Sequence, residues 1–161
     1  MKEILDRKNN NNTDLILAGI LAKPNRSIYD TLLIDAGTND GILKEKKVFA
    51  LGNVPIGYIA ETYPSSSKVV LYSNPGEKTD VVISGKDIYM QAVGRGGGNF
   101  EMILPRDFII TEGEEVDLPG VNPYILGTVQ TILSDPRDSF QKALLVSPVN
   151  VQQLKFVEVE K

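Results

Sequence analysis

The sequence predicts an all-β fold, a barrel or a sandwich, built from short and mostly antiparallel strands. Apolar residues fall in short runs that alternate with turn signals, which is typical of strands joined by hairpins. The 14 Gly and 9 Pro residues are spread along the chain instead of being concentrated in one tract. No amphipathic pattern continues over three helical turns. Together these observations favour a barrel or a sandwich over a helical architecture.

Period-two alternation marks the clearest strand predictions. In residues 54–60, Val54, Ile56 and Tyr58 occupy every second position, as expected for a half-buried strand. Residues 99–104 show the same alternation. We predict about ten or eleven strands. In chain order they are residues 15–22, 31–35, 48–51, 54–60, 68–72, 80–83, 88–93, 99–104, 125–133, 140–146 and 154–159.

Turn signals separate these strands. Asp40-Gly41 is a strong turn dipeptide, because Gly adopts positive φ at little cost. Gly57 lies inside a predicted strand, where a missing side chain permits a bulge or a close approach by another backbone. The other turns are predicted at residues 23–26, 52–53, 64–67, 74–76 and 94–98.

The chain length of 161 residues suffices for one ordinary domain or for two small barrel-like units with modest cores. We expect residues 1–13, which include four consecutive Asn, to form a flexible leader.

Composition excludes several classes of function. The chain has no Cys and no His, which rules out disulfides, thiolate zinc sites, Ser-His-Asp triads and His-bearing metal sites. The net charge is −4, and the densest basic segment, residues 44–47, reads as a solvated hairpin end. Nucleic acid is therefore not an expected partner. No run approaches the eighteen or so apolar residues that span a bilayer.

Several motifs resemble ligand or catalytic sites but lack essential parts. Residues 35–41 are rich in oxygen ligands, yet Gly37 takes a ligand position of a calcium loop, so we interpret the segment as a turn. Carboxylates such as Asp107 and Glu112, or Glu114 and Glu115, lie in a polar segment and are expected to be solvated. Residues 65–68 could suggest a catalytic Ser-Lys dyad, but a turn that precedes a strand explains the same residues more simply. We expect no enzyme activity, no catalytic residues, no metal and no cofactor.

The glycine loop, residues 94–98, lacks the Gly-Lys-Ser/Thr ending and the following helix of a phosphate-binding loop. We interpret it as a flexible hairpin tip, and its functional alternative is a partner contact made by Arg95, Asn99 and Phe100. Such contacts are expected to use strand edges and exposed apolar patches, with Tyr and other aromatic residues as anchors. The predicted partner-binding residues are Val54, Ile56, Tyr58, Arg95, Asn99 and Phe100.

A series of segments in order carries a family resemblance. They are residues 32–42, which contain the Asp40-Gly41 turn, residues 55–61, 65–71, 93–97 and 124–129, and the closing runs 144–146 and 154–159. This series resembles the extracytoplasmic β-domain of the MreC family over roughly residues 14–161.

The resemblance implies a non-catalytic scaffold of the bacterial cell-elongation machinery that organises peptidoglycan synthesis and cell shape. Family members are anchored by one membrane helix, dimerise through a coiled coil and place two small β-barrels outside the cytoplasmic membrane. The resemblance therefore implies a first barrel in residues 14–82 and a second barrel in residues 83–161. It leaves open whether the last strand belongs to the second barrel or returns to the first. The implied partners are a class B penicillin-binding protein, MreD and further copies of the protein, in dimers or filaments. The chain would then lie in the periplasm or on the cell-wall side, with membrane attachment only through an N-terminal anchor that these residues lack. Residues 1–13 would be the remnant of the coiled-coil region.

The chain departs from the family pattern at residues 44–47, which replace a Lys-Gly step, and at residues 114–120, so its partner surface is expected to differ. Two other functions stay open. A carbohydrate-binding β-module would show exposed coplanar aromatic residues on one face. A degenerate double-barrel hydrolase would show a deep cleft that holds a carboxylate pair or a Ser-Lys pair.

Overall fold

The computed structural model describes residues 15–23, 30–50, 53–84, 86, 88–119 and 124–161. The predicted leader, residues 1–13, lies outside the described residues. Within them the chain forms twelve β-strands and two single-turn 3₁₀ helices, Thr38–Asp40 and Val151–Gln153. The strands are β1 (Leu15–Ala22), β2 (Thr31–Ile34), β3 (Lys47–Ala50), β4 (Val54–Thr62), β5 (Ser67–Leu71), β6 (Lys78–Ile83), β7 (Ile88–Gly96), β8 (Asn99–Pro105), β9 (Glu115–Leu118), β10 (Tyr124–Ser134), β11 (Phe140–Val146) and β12 (Phe156–Glu160).

The strands close into two six-stranded antiparallel barrels, which confirms the predicted fold. The strand order is β1-β12-β3-β4-β5-β2 in the first barrel and β10-β11-β8-β7-β6-β9 in the second. Because each barrel closes, each of its strands has a neighbour on both sides. Pairing of a partner strand with a free sheet edge, one of the two expected binding modes, would therefore require a barrel to open.

The chain passes from the first barrel to the second between β5 and β6. β6 belongs to the second barrel, so the change comes before residue 78, whereas the sequence analysis placed it between residues 82 and 83. The Asn74-Pro75-Gly76 turn redirects the chain, with Gly76 at φ +84°. The last strand, β12, lies between β1 and β3 of the first barrel.

The short strand β9 was not predicted, because it lies in the acidic segment that the sequence analysis treated as irregular. Its inward residues Val116 and Leu118 are buried, and its outward residues are acidic Glu115 and Asp117. Two apolar residues are too few to establish alternation in a sequence. Pairing with β6 and β10 is what holds this segment extended.

Each barrel encloses its own hydrophobic core, formed by the inward residues of its strands together with a few residues of the connecting segments. The first core contains Ala18, Leu32, Ile34, Ala36, Ile42, Val48, Ala50, Ile56, Ile59, Val69, Leu71, Val151, Val157 and Val159. The second contains Tyr72, Val81, Ile83, Ala92, Phe100, Met102, Leu104, Ile110, Val116, Leu118, Leu126, Val129, Ala143 and Leu145. Burial of these side chains is the main stabilising contribution to each barrel.

Gly57 of β4 shows the close backbone approach that the sequence analysis allowed for. A Cβ atom at this position would lie 2.3 Å from the carbonyl oxygen of Val70 and 3.0 Å from the Cα atom of Leu71, both in the neighbouring strand. No side chain fits in that space. Gly57 is therefore required by packing between β4 and β5.

Aromatic side chains pack where the two barrels meet. The rings of Phe49 on β3 and Tyr124 on β10 are 4.9 Å apart at their centroids. Tyr58 on β4 lies 6.1 Å from Tyr72 and packs against the core of the second barrel. The Tyr58 hydroxyl donates to the Glu77 carboxylate at 3.0 Å. Burial, together with that bond, raises the pKa of Tyr58.

Candidate protein-interaction surface

The outer face of the second barrel carries exposed apolar side chains on three adjacent strands. Ile103 of β8 and Phe140 of β11 are each 59% exposed, and Leu133 of β10 is 51% exposed. The strand register places Lys142 between Ile103 and Leu133, at Cβ separations of about 5 Å. Phe140 lies opposite Pro105 in a neighbouring row. We call Ile103, Leu133 and Phe140 the outer apolar patch.

A groove of about 850 Å³ adjoins the outer apolar patch at the β10–β11 hairpin. It is lined by Ile103 together with residues 132–135 and 137–142. Within the hairpin, the Arg137 guanidinium lies 3.2 Å from the Asp135 carboxylate, and the Arg137 backbone N–H donates to that carboxylate at 2.9 Å. These contacts lower the pKa of Asp135. The hairpin thus forms one wall of the groove.

Two ion pairs border the outer apolar patch. Arg95 Nη1 lies 2.6 Å from Glu101 Oε2, and Lys142 Nζ lies 3.6 Å from the same oxygen. Glu101 precedes Ile103 by two residues on β8, so both side chains project from the same face. Partly exposed ion pairs contribute little to stability, but these two place charged groups beside the apolar surface.

Two of the six predicted contact residues lie at the exposed glycine loop. Arg95 is exposed and forms one of the two ion pairs. Asn99 is also exposed, and its Nδ2 donates to the Gly96 carbonyl at 2.9 Å. Gly96, Gly97 and Gly98 all have positive φ, so this turn depends on Gly. Their role in partner binding stays a prediction.

The other four predicted contact residues lie in or beside the barrel cores. Ile56 and Phe100 are only 5% and 3% exposed. Val54 packs against the first core, and Tyr58 lies at the joint between the barrels. Period-two alternation on β4 predicted a strand with one exposed face. Near Ile56, however, this strand is buried on both faces. The six residues therefore do not form one surface, and Ile56 and Phe100 could touch a partner only after local opening.

The sequence carried one signal for the outer apolar patch that the predictions did not use. The inward residues of β8 are Phe100, Met102 and Leu104. Ile103 is therefore an apolar residue on the outward face of this strand. Leu133 gave no comparable signal, because a register shift in β10 after Val129 changes which residues face outwards.

The motifs that resembled ligand or catalytic sites have structural roles. The Asp-Gly segment forms a turn in which Asp40 Oδ2 accepts from the Gly37 N–H at 2.9 Å. The buried Ser67 hydroxyl donates to the Ala36 carbonyl at 2.7 Å. Lys68 follows Ser67 in the strand and projects from the opposite face, so the two side chains do not form a dyad.

The carboxylates of the acidic segment have separate environments. Glu114 accepts from Lys86 Nζ at 2.9 Å, and this bond lowers the pKa of Glu114. Burial raises the pKa of Asp117. Asp107 and Glu112 are exposed. The expectation of solvated carboxylates therefore holds for Asp107, Glu112 and Glu115, which are exposed, but not for the half-buried Glu114, which pairs with Lys86.

Within the described ranges, no group of three or more carboxylates is placed to hold a metal ion. The same part of the chain contains no helix with the length and hydrophobicity that a membrane crossing requires.

The two barrels and their connectivity can be compared with known proteins. A sequence profile described as rod shape-determining protein MreC, barrel core, matches residues 20–161. The chain belongs to the MreC family. This agrees with the resemblance seen in the sequence. A search of curated proteins gives no significant match.

Solved MreC structures share the double-barrel fold. MreC from Pseudomonas aeruginosa is 18% identical, with a TM-score of 0.82 over 91% of this chain and 98% of that chain. MreC from Listeria monocytogenes is 22% identical, with a TM-score of 0.76 over 99% and 84%. A chain from the complex between penicillin-binding protein PBP2 and MreC of Helicobacter pylori is 12% identical, with a TM-score of 0.64 over 92% and 98%. At these identities the likeness shows the fold alone.

Proposed function

We propose that this protein is a non-catalytic scaffold of the bacterial cell-elongation machinery, which organises peptidoglycan synthesis and cell shape through protein–protein contacts. The observation that carries the proposal is the outer apolar patch. A closed barrel can bury its apolar side chains in its interior. The exposure of three large apolar side chains on adjacent strands is therefore not explained by the packing of the barrel itself. Contiguous exposed apolar groups commonly mark interaction sites. Membership of the MreC family supports the same conclusion.

The proposed partner of the outer apolar patch is the periplasmic part of a class B penicillin-binding protein. The complex of PBP2 with MreC in Helicobacter pylori supports this choice. The surface also combines exposed apolar and charged groups, as protein interfaces do. Phe140 supplies an exposed aromatic anchor opposite Pro105, and Lys142, which pairs with Glu101, lies between Ile103 and Leu133.

Self-association is proposed to use a different face, on the first barrel. Leu17 and Leu21 of β1 and Phe156 of β12 are exposed there, and Phe156 lies opposite Gly19 in the strand register. We propose that copies of the chain meet at this face, in dimers or filaments, and that MreD is a further partner. A similar structure is the major periplasmic domain of the cell shape-determining filament MreC, which supports an extracytoplasmic location.

Neither alternative function has an observation that favours it. The exposed aromatic residues Tyr63, Tyr89, Phe140 and Phe156 are distributed over both barrels, whereas a carbohydrate platform needs coplanar rings on one face. A hydrolase with a Ser-Lys pair is not favoured, because the Ser67 and Lys68 side chains project from opposite faces of β5.

Sedimentation velocity tests the partner proposal directly. The chain is mixed with the periplasmic part of the matching class B penicillin-binding protein, and compared with the triple variant Ile103→Ser, Leu133→Ser, Phe140→Ser. A control variant, Tyr89→Ser with Ile109→Ser, removes exposed apolar residues of the second barrel outside the patch. We expect the wild type and the control to form a complex and the triple variant to bind at least about tenfold more weakly. Equal binding of the triple variant would reject the patch, and no binding by the wild type would reject the partner.

A further inference from the structure

A buried carboxylate lies at the joint between the barrels, apart from the outer apolar patch. Asp30, immediately before β2, is 7% exposed. Its Oδ2 accepts from the Ser73 hydroxyl at 2.7 Å and from the backbone N–H of Gly97 at 2.6 Å. Ser73 lies in the segment between the barrels, and Gly97 lies in the glycine loop of the second barrel. One oxygen atom thus joins three parts of the fold.

The backbone of Asp30 is held in place by the same segment. Its N–H donates to Asn74 Oδ1 at 2.8 Å, and its carbonyl accepts from the Leu71 N–H at 3.0 Å. The side chain therefore projects from a fixed point on the first barrel. It is oriented by the chain that leads into the second barrel.

The glycine loop is docked closely onto this segment. The Gly96 N–H donates to the Ser73 carbonyl at 2.6 Å, and the Gly94 N–H donates to the Glu77 carbonyl at 2.8 Å. A Cβ atom at Gly94 would lie 2.2 Å from the Asn74 carbonyl oxygen. The absence of a side chain at Gly94 is what allows this close approach.

A loop with several positive-φ glycines has many accessible conformations and little intrinsic preference for one. Contacts from outside the loop must therefore select its conformation. A buried carboxyl group is costly to retain unless it is well hydrogen-bonded. Asp30 is buried, and its Oδ2 accepts two short hydrogen bonds, one of them from the Gly97 N–H of the loop.

We propose that Asp30 is a positioning residue that holds the glycine loop, and with it the second barrel, in one orientation relative to the first barrel. This inference goes beyond the proposed function, because it does not depend on which partner binds. Its consequence for a scaffold is that Arg95 and Asn99 are presented at a fixed place relative to the first barrel. The two barrels then act as one rigid unit.

Hydrogen exchange at the Gly97 amide tests the loop contact. Asp30→Ala removes the acceptor, and we expect Gly97 exchange to accelerate roughly tenfold to a hundredfold. Asp30→Asn keeps a carbonyl acceptor and should give an intermediate rate. Ser67→Ala is the matched control, because it removes a buried hydrogen bond of the first barrel away from the joint. Equal Gly97 exchange in Asp30→Ala and Ser67→Ala would overturn the proposal.

Distance measurements between the barrels test the orientation itself. The chain has no Cys, so Lys68→Cys on the first barrel and Gln91→Cys on the second give two unique spin-label sites, both exposed. We expect a narrow distance distribution in the wild type and in Ser67→Ala, and a shifted or broader one in Asp30→Ala. An unchanged distribution in Asp30→Ala would show that Asp30 does not position the barrels. If Asp30→Ala does not fold, Ser73→Ala, which removes one of the two donors, gives the same comparison.

Discussion

Phe100 and Ile103 lie three positions apart on β8 and project from opposite faces of the strand. Substitutions at these two positions therefore test which face of β8 lines the core of the second barrel and which lies on its surface. Phe100 is 3% exposed and Ile103 is 59% exposed. Phe100→Ala removes a ring from the closed core and leaves a cavity. Ile103→Ala removes atoms that are already mostly in water. The two substitutions should therefore differ strongly in their effect on the free energy of unfolding.

The expected magnitudes follow from the burial of each side chain. Phe→Ala in a core costs about 3–5 kcal/mol, which for a chain of this size lowers the Tm by roughly 6–20 °C. Ile103→Ala forfeits less than half of the transfer free energy of an isoleucine and creates no cavity, so we expect a cost of about 1 kcal/mol. Urea denaturation followed by circular dichroism measures both. Similar losses for the two variants would refute the assignment of Phe100 to the core and Ile103 to the surface.

The remaining predictions concern packing and pH. Gly57→Ala should cost about 1–3 kcal/mol or more, because its Cβ would overlap backbone that cannot move. Gly76→Ala is the control, since its Cβ would meet open space and only left-handed backbone strain of roughly 1–2 kcal/mol applies; a larger loss for Gly76→Ala in urea denaturation would contradict this. Burial raises the pKa of Asp117, so folding disfavours its ionised form. Its contribution to the free energy of unfolding therefore falls as the pH rises from the ordinary Asp pKa through the higher pKa of the folded chain. Asp117→Asn should therefore raise the Tm at pH 7 but leave it nearly unchanged at about pH 3, and a Tm that falls at pH 7 would refute the sign.

Much of the fold could be predicted because strand periodicity and turn chemistry are local properties of the sequence. The alternation in residues 99–104 and the Asp40-Gly41 turn both appear in the structure as expected. The return of β12 to the first barrel could not be predicted, because it depends on pairing with β1 and β3, far away along the chain. The two barrels were implied by the family resemblance and not by strand periodicity, and the strand that closes the first barrel was left open.

The candidate surface was harder to predict than the fold, because tertiary packing decides which side chains of a strand are exposed. Ile56 shows the difficulty: its alternation is typical of a half-buried strand, yet β4 lies between the first core and the joint and is buried on both sides. The outer apolar patch combines residues from three strands, and its composition depends on their register. Asp30 gave no local signal at all, since its partners Ser73 and Gly97 lie 43 and 67 residues away.

The most direct test of the scaffold proposal is to map where a class B penicillin-binding protein contacts the chain. The ¹⁵N-labelled chain is titrated with the periplasmic part of the matching protein, and amide chemical shifts are followed by NMR. The proposal predicts that the perturbed amides cluster on the outward face of β8, β10 and β11 around Ile103, Leu133 and Phe140. Perturbations confined to the first barrel, or none at saturating partner, would contradict it.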